Sequence, residues 1–104
     1  MNIRFFNNKI DNFITSLEKI TIAKALRTID LLERFGNDLG IPHSKKVCKG
    51  IFELRVRGNQ EIRIFYTFHK NEIVMLHAFV KKKQKLPMQE LDIAIKHLKS
   101  LVKL

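Results

Sequence analysis

The chain has 104 residues, 45% hydrophobic and 29% charged, with 20 Lys and Arg against 10 Asp and Glu and a net charge of +10. It is too apolar for a disordered basic tail, long enough for one domain spanning 1–104, and too short for a nucleotide-binding fold with its own substrate domain. Cys48, the only cysteine, excludes an internal disulfide and a Cys-based zinc cluster, and no apolar run approaches the ~20 residues that span a bilayer.

The opening Ile3-Arg4-Phe5-Phe6 is short and aromatic and predicts a strand, with no signal-peptide layout around it. Asp11 is positioned to cap a helix carrying Phe13, Ile14, Leu17 and Ile20. Thr21 is a second cap candidate, before a stripe of Ile22, Ala25, Leu26, Ile29, Leu32 and Phe35 at three–four spacing. Gly36 stands where a helix ends in a left-handed residue. The segment from Asn37 to Pro42, with Gly40, reads as a loop. These residues predict an N-terminal αα-hairpin with one apolar face.

The period then changes to two. Phe52, Leu54 and Val56 alternate with Glu53, Arg55 and Arg57. After the turn residues Gly58-Asn59-Gln60, Ile62, Ile64, Tyr66 and Phe68 alternate with Arg63, Phe65, Thr67 and His69. Lys70-Asn71-Glu72 makes a second turn into a strand from Ile73 to Val80. There, Val74, Leu76, Ala78 and Val80 share one face, and Met75, His77 and Phe79 share the other. Two short turns in succession imply an antiparallel meander. Pro87 suits the first turn of a helix, and Leu91, Ala94, Ile95, Leu98, Leu101 and Val102 mark that helix as amphipathic. The expected fold is α+β: a small antiparallel β-sheet with an N-terminal αα-hairpin and a C-terminal helix, the helices on one sheet face.

Charge is concentrated in the middle of the chain. Residues 1–42 carry six basic and five acidic side chains, residues 43–85 eleven and three, and residues 86–104 three and two. Such clustering suits a polyanion-binding surface. Alternation puts Arg55, Arg57, Arg63, Phe65, His77 and Phe79 on the sheet face away from the helices. Guanidinium forks bind phosphate and aromatic rings stack on unpaired bases. Lys45, Lys46 and Lys49 before the strands, and Lys81, Lys82, Lys83 and Lys85 after them, would rim that face. His43, His69, His77 and His97 show no metal-ligand spacing, the glycines form no phosphate loop, and the few acids form no two-metal cluster, so no metal and no cofactor are expected.

The run Gly50-Ile51-Phe52-Glu53-Leu54-Arg55, then Ile62-Arg63-Ile64-Phe65-Tyr66, then Leu76-His77-Ala78-Phe79-Val80-Lys81-Lys82, with Gln84-Lys85, Pro87 and Glu90, resembles the HigB-type, phage-derived branch of the RelE/ParE toxin superfamily. The resemblance implies the toxin of a bacterial type II toxin–antitoxin system: a cytoplasmic, metal-independent endoribonuclease that cuts messenger RNA on the ribosome. It implies a HigA-like, helix-turn-helix antitoxin as partner, DNA contact only through that antitoxin, and no membrane. Arg55, Arg63, His77, Lys81 and Lys82 occupy the motif positions and are the expected catalytic residues. Lys45, Lys46, Lys49, Arg57, Phe65, Phe79, Lys83 and Lys85 are the expected RNA contacts. RelE-type toxins use a C-terminal tyrosine; here the sole tyrosine, Tyr66, falls on the expected core face. Alternatives are a ParE-like gyrase inhibitor and a non-enzymatic basic RNA-binding module.

Overall fold

The computed structural model describes residues 1–103. In chain order the elements are β1 (Asn2–Phe5), α1 (Asn8–Thr15), α2 (Lys19–Phe35), a 3-10 turn (Gly36–Asp38), β2 (Ser44–Cys48), β3 (Ile51–Val56), β4 (Ile62–His69), β5 (Glu72–Val80) and α3 (Met88–Val102). The strands form one sheet in the order β1-β5-β4-β3-β2. β2 to β5 are antiparallel neighbours, whereas β1 runs parallel to β5, with Ile3 opposite Ile73 and Phe5 opposite Met75.

The expected small antiparallel sheet with an N-terminal αα-hairpin is therefore corrected to a five-stranded mixed sheet with three helices on two faces. The strand at β1 was legible, but alternation in a short segment does not reveal its partner or direction. β2 is an additional edge strand; its lysines at 45 and 46 and its irregular register between Lys46 and Cys48 hide the period. The helices α1 and α2 do not form a hairpin packed on itself. Instead α1 lies on β5 and α2 on β3, each burying its stripe directly against strands.

Local chemistry explains the helix boundaries. Asn7, not Asp11, caps α1: its Oδ1 accepts the Ile10 N–H at 3.2 Å. The hydroxyls of Thr15 and Ser16 turn back onto the Asn12 and Phe13 carbonyls, satisfying the frayed end. The buried face of α2 is Thr21, Ala25, Thr28 and Leu32, rotated from the expected stripe, so that Leu26 is 56% and Phe35 50% exposed. Thr28 enters the core because its hydroxyl bonds the Lys24 carbonyl within the helix at 2.8 Å. Gly36 ends α2 at φ +54°, a conformation that disfavours a Cβ.

Two cores result, one on each face of the sheet. Ile10, Ile14, Ala25 and Leu32 pack on Leu54, Ile62, Ile64, Tyr66, Ile73 and Met75. On the other face α3 sets Leu91, Ala94 and Leu101 against Ile51, Phe65, Val74, Leu76 and Phe79. The helices thus cover both faces, not the single face expected. The turn from β4 to β5 holds Lys70 and Asn71 at φ 48° and 63°, the two-residue geometry whose twist matches the flanking strands.

A bulge in β5 changes the expected pattern of faces. Tyr66 pairs with Met75, and Phe65 pairs with His77, leaving Leu76 as the extra residue. Beyond it the alternation changes phase. Val74, Leu76 and Phe79 belong to the core under α3, while Ile73, Met75 and Ala78 belong to the core under α1 and α2. The expected face of Val74, Leu76, Ala78 and Val80 is corrected accordingly.

Candidate functional site

The helix α3 roofs only part of its sheet face. Register defines what remains. One row runs Lys45–Glu53–Phe65–His77, and the next runs Arg55–Arg63–Phe79. Arg55 and Arg63 are directly opposite, an arrangement that repels unless a counter-charge intervenes. Glu53, 3% exposed, provides it, with Oε1 at 3.1 Å from the Nε of Arg55 and 3.9 Å from the Nε of Arg63. Arg63, 5% exposed, is further held by Nη2 to Glu61 Oε1 at 3.2 Å and by Nη1 to the Ile62 carbonyl at 3.1 Å. Its Nε is buried and has no hydrogen-bond partner among the described residues.

Glu61 belongs to this network electrostatically as well as geometrically. Partial burial by itself would raise its carboxyl. The Gly58 N–H, the Arg63 hydrogen bond and the charges of Arg63 and Arg57 outweigh that, and Glu61 titrates below the ordinary carboxylate value. It stays ionised beside the two guanidiniums.

Above this floor lie two adjoining depressions. One, of about 310 Å³, is bounded by Lys45, Lys46, Glu53, Arg55, Lys81 and Gln84. The other, of about 390 Å³, is bounded by Arg57, Glu61, Arg63, Lys81, Lys82 and Lys83. Lys81 and Gln84 border both, so the two form one trough. Lys81 is set there by strand pairing continued past β5, where its N–H bonds the Glu61 carbonyl at 2.7 Å.

The structure brings together Arg55, Arg57, Lys45, Lys46, Lys81, Lys82 and Lys83. Lys85 lies farther along, beside an apolar hollow with Phe79, Leu86 and Pro87, and Lys49 sits at the β2–β3 turn, outside the trough. Arg63 underlies the trough, with its guanidinium buried and bonded to Glu61 and the Ile62 carbonyl rather than standing on an open face as expected. Phe65 and Phe79, expected to stack on bases, are 0% and 6% exposed in the core under α3. The bulge and α3 close over them. Tyr66 is buried on the opposite face, with its hydroxyl on the Ser44 Oγ.

His77 also departs from expectation. Its Nε2 lies 3.3 Å from both carboxylate oxygens of Glu90 on α3, and its ring stacks on Phe79. It lines a different cavity, with His97 and Ile93. The ring of Phe79 thus lies next to Arg63 in register on one side and against His77 on the other.

Sequence reasoning missed the roles of Glu53, Glu61 and Gln84. Glu53 had a signal: an acid between Leu54 and Phe52, in phase with two arginines, at the inward position of a central strand. Among the described residues, no group of three or more His, Cys, Asp or Glu side chains converges as metal ligands would. No described helix is long and apolar enough to cross a membrane.

Residues 12–99 match the family model described as phage derived protein Gp49-like (DUF891). The chain belongs to the Gp49-like family. The matched span runs from α1 through most of α3 and contains every residue of the trough, whereas β1 lies outside it. No curated protein matches this Gp49-like chain. The match supports the phage-derived part of the resemblance and does not reach the HigB branch or the wider RelE/ParE superfamily.

Proposed function

We propose that this Gp49-like protein is a HigB-type toxin of a type II toxin–antitoxin pair, a metal-independent endoribonuclease that cuts messenger RNA, with the ribosome as setting and a cognate antitoxin as neutralising partner. The observation that carries the reading is the trough. Cations from β2, β3 and the segment after β5 border it over a floor whose own charges are internally matched. The rim lysines make no ion pair among the described residues and can meet phosphates directly, while Arg55, held by Glu53, ties the rim to the floor.

The chemistry needs little beyond positioning. RNA carries its nucleophile, the ribose 2′-hydroxyl. Aligned with the scissile phosphate, the 2′-oxygen gives its proton to water and forms the new P–O bond as the P–O5′ bond breaks, and the departing 5′-oxygen takes a proton from water, giving a cyclic phosphate and a 5′-hydroxyl. Arg55 and Lys81, which border the same depression, would hold the non-bridging oxygens as negative charge grows. Lys45, Lys46, Lys82 and Lys83 would grip flanking phosphates. When a phosphate takes the Arg55 fork, Glu53 is released to move onto the unpartnered Nε of Arg63, which offsets part of the bond it gives up.

Induced expression of the chain alone, followed by primer extension on cellular messages, tests the reading. Wild type should arrest growth with messages cut at recurrent codon positions, and Arg55→Ala with Lys81→Ala should abolish both while preserving the circular-dichroism spectrum. Arrest with intact messages and an SOS response would instead indicate gyrase, and salt-sensitive RNA binding without arrest would indicate a binding module.

A further inference from the structure

The cavity on the far side of Phe79 has no part in the cleavage chemistry above. It measures about 350 Å³ and lies where α1 and α3 approach the bulged stretch of β5. Its walls divide by chemistry: Ile10, Phe13, Ala78 and Ile93 are apolar, whereas Asn7, Lys9, His77 and His97 are polar. The size is within the range of small-ligand sites.

Each imidazole has one ring nitrogen engaged by the protein. His97 Nδ1 lies 2.7 Å from the Leu76 carbonyl, which only accepts, so Nδ1 carries the proton. His77 Nε2 faces the Glu90 carboxylate, which also only accepts when ionised. In the neutral rings this leaves the Nε2 lone pair of His97 and the Nδ1 lone pair of His77, neither with a protein donor among the described residues. Phe6 stacks on His97 with centroids 4.2 Å apart, locking the ring plane. A space with apolar walls, lined as well by two imidazoles, an amide and one ammonium, fits a flat heterocycle bearing an amino group, joined to a phosphate.

We propose that this cavity binds the base of a nucleotide in the RNA held by the trough, preferring amino-bearing bases to uracil, with Lys9 on the adjoining phosphate. The inference rests on RNA being the ligand of the trough. Glu90 connects the two regions, since it borders the hollow beside Lys82 and also holds His77. That hollow shares Lys81, Lys82 and Lys83 with the trough, so it joins the trough to the cavity, which serves as a base-reading subsite separate from the cleavage position.

The test is NMR titration of the full chain with AMP, UMP, ribose 5-phosphate and a short RNA. AMP should shift Ala78, Ile93 and His97 resonances, more tightly than UMP, and ribose 5-phosphate should not. The short RNA should displace AMP. Ile93→Trp fills the cavity from a position 37% exposed, so the fold is retained, and it should weaken AMP about tenfold, the size of one lost base contact. Lys9→Ala should weaken AMP but leave adenosine unchanged. No shift with AMP, equal affinity for UMP or ribose 5-phosphate, or AMP that RNA does not displace would each overturn the subsite. Message cleavage without nucleotide binding would sink this inference alone; nucleotide binding without cleavage would sink the nuclease reading alone.

Discussion

The two faces of β4 bury side chains to similar depth by opposite means. Toward α1 and α2 it presents Ile62, Ile64 and Tyr66, all at most 1% exposed; toward α3 it presents Arg63, Phe65 and Thr67, all at most 5% exposed. The first face gains by removing apolar area from water, about 25 cal/mol per Å². On the second, Arg63 and Glu53 are desolvated and gain back Coulomb attraction and hydrogen bonds, an exchange that rarely stabilises on balance. A fold in need of stability alone would have an aliphatic residue at 63. The charged half is therefore the part of the sheet whose composition folding does not explain.

Removing half of the network should do most damage. Glu53→Ala leaves Arg55 and Arg63 opposite one another with Glu61, on Arg63, as the remaining carboxylate of the network, and should cost about 3 kcal/mol in urea unfolding. Glu53→Leu combined with Arg63→Met should recover most of that loss while abolishing message cleavage, which separates the network's functional value from its structural one. If the double variant is as unstable as the single, the comparison between the faces fails. On the apolar face Ile64→Ala should cost about 2–5 kcal/mol, with cleavage per folded molecule unchanged.

A smaller effect is expected where that apolar face carries a polar pair. Burial raises the Tyr66 hydroxyl pKa, with the Ser44 hydrogen bond opposing. Tyr66→Phe leaves the buried Ser44 hydroxyl unpaired and should cost about 1–3 kcal/mol by thermal or urea unfolding. The smallest effect concerns pH. Because Glu61 titrates lower when folded than its ordinary 4.5, its contribution is present above that value and is lost as pH falls through the lower folded pKa. Glu61→Gln should flatten the acid limb of the stability–pH curve below pH 4.5, and an unchanged limb would remove Glu61 from the network.

Period-two alternation placed β3, β4 and the charged row correctly, because side-chain direction follows directly from sequence in a regular strand. It failed where regularity failed. Leu76 carries no local mark of being an extra residue, so the phase change beyond it, and with it the separation of His77 from the trough, required the sheet itself. Burial of Phe65 depends on where α3 lands, which is a long-range outcome. The depth of Arg63 was hidden for a related reason: its acidic partners lie ten residues before it and two before it, on the neighbouring strand and at the end of the turn. Of the expected lysine rim, Lys45, Lys46, Lys81, Lys82 and Lys83 were legible because solvent-facing charge needs no partner to be placed, whereas Lys49 and Lys85 fall outside the trough because sequence proximity does not fix where a turn or loop directs its side chains.

The single surplus residue at Leu76 acts on β5 like a frameshift on a coding strand. Deleting it would restore unbroken alternation and slide every side chain on one side of the join to the opposite layer. Either the aliphatic half or the half carrying His77 and Phe79 would then point the wrong way. One-residue deletions in β5 should accordingly be tolerated far less well than substitutions at the same sites, and a compensating insertion would have to fall within the same strand to rescue them.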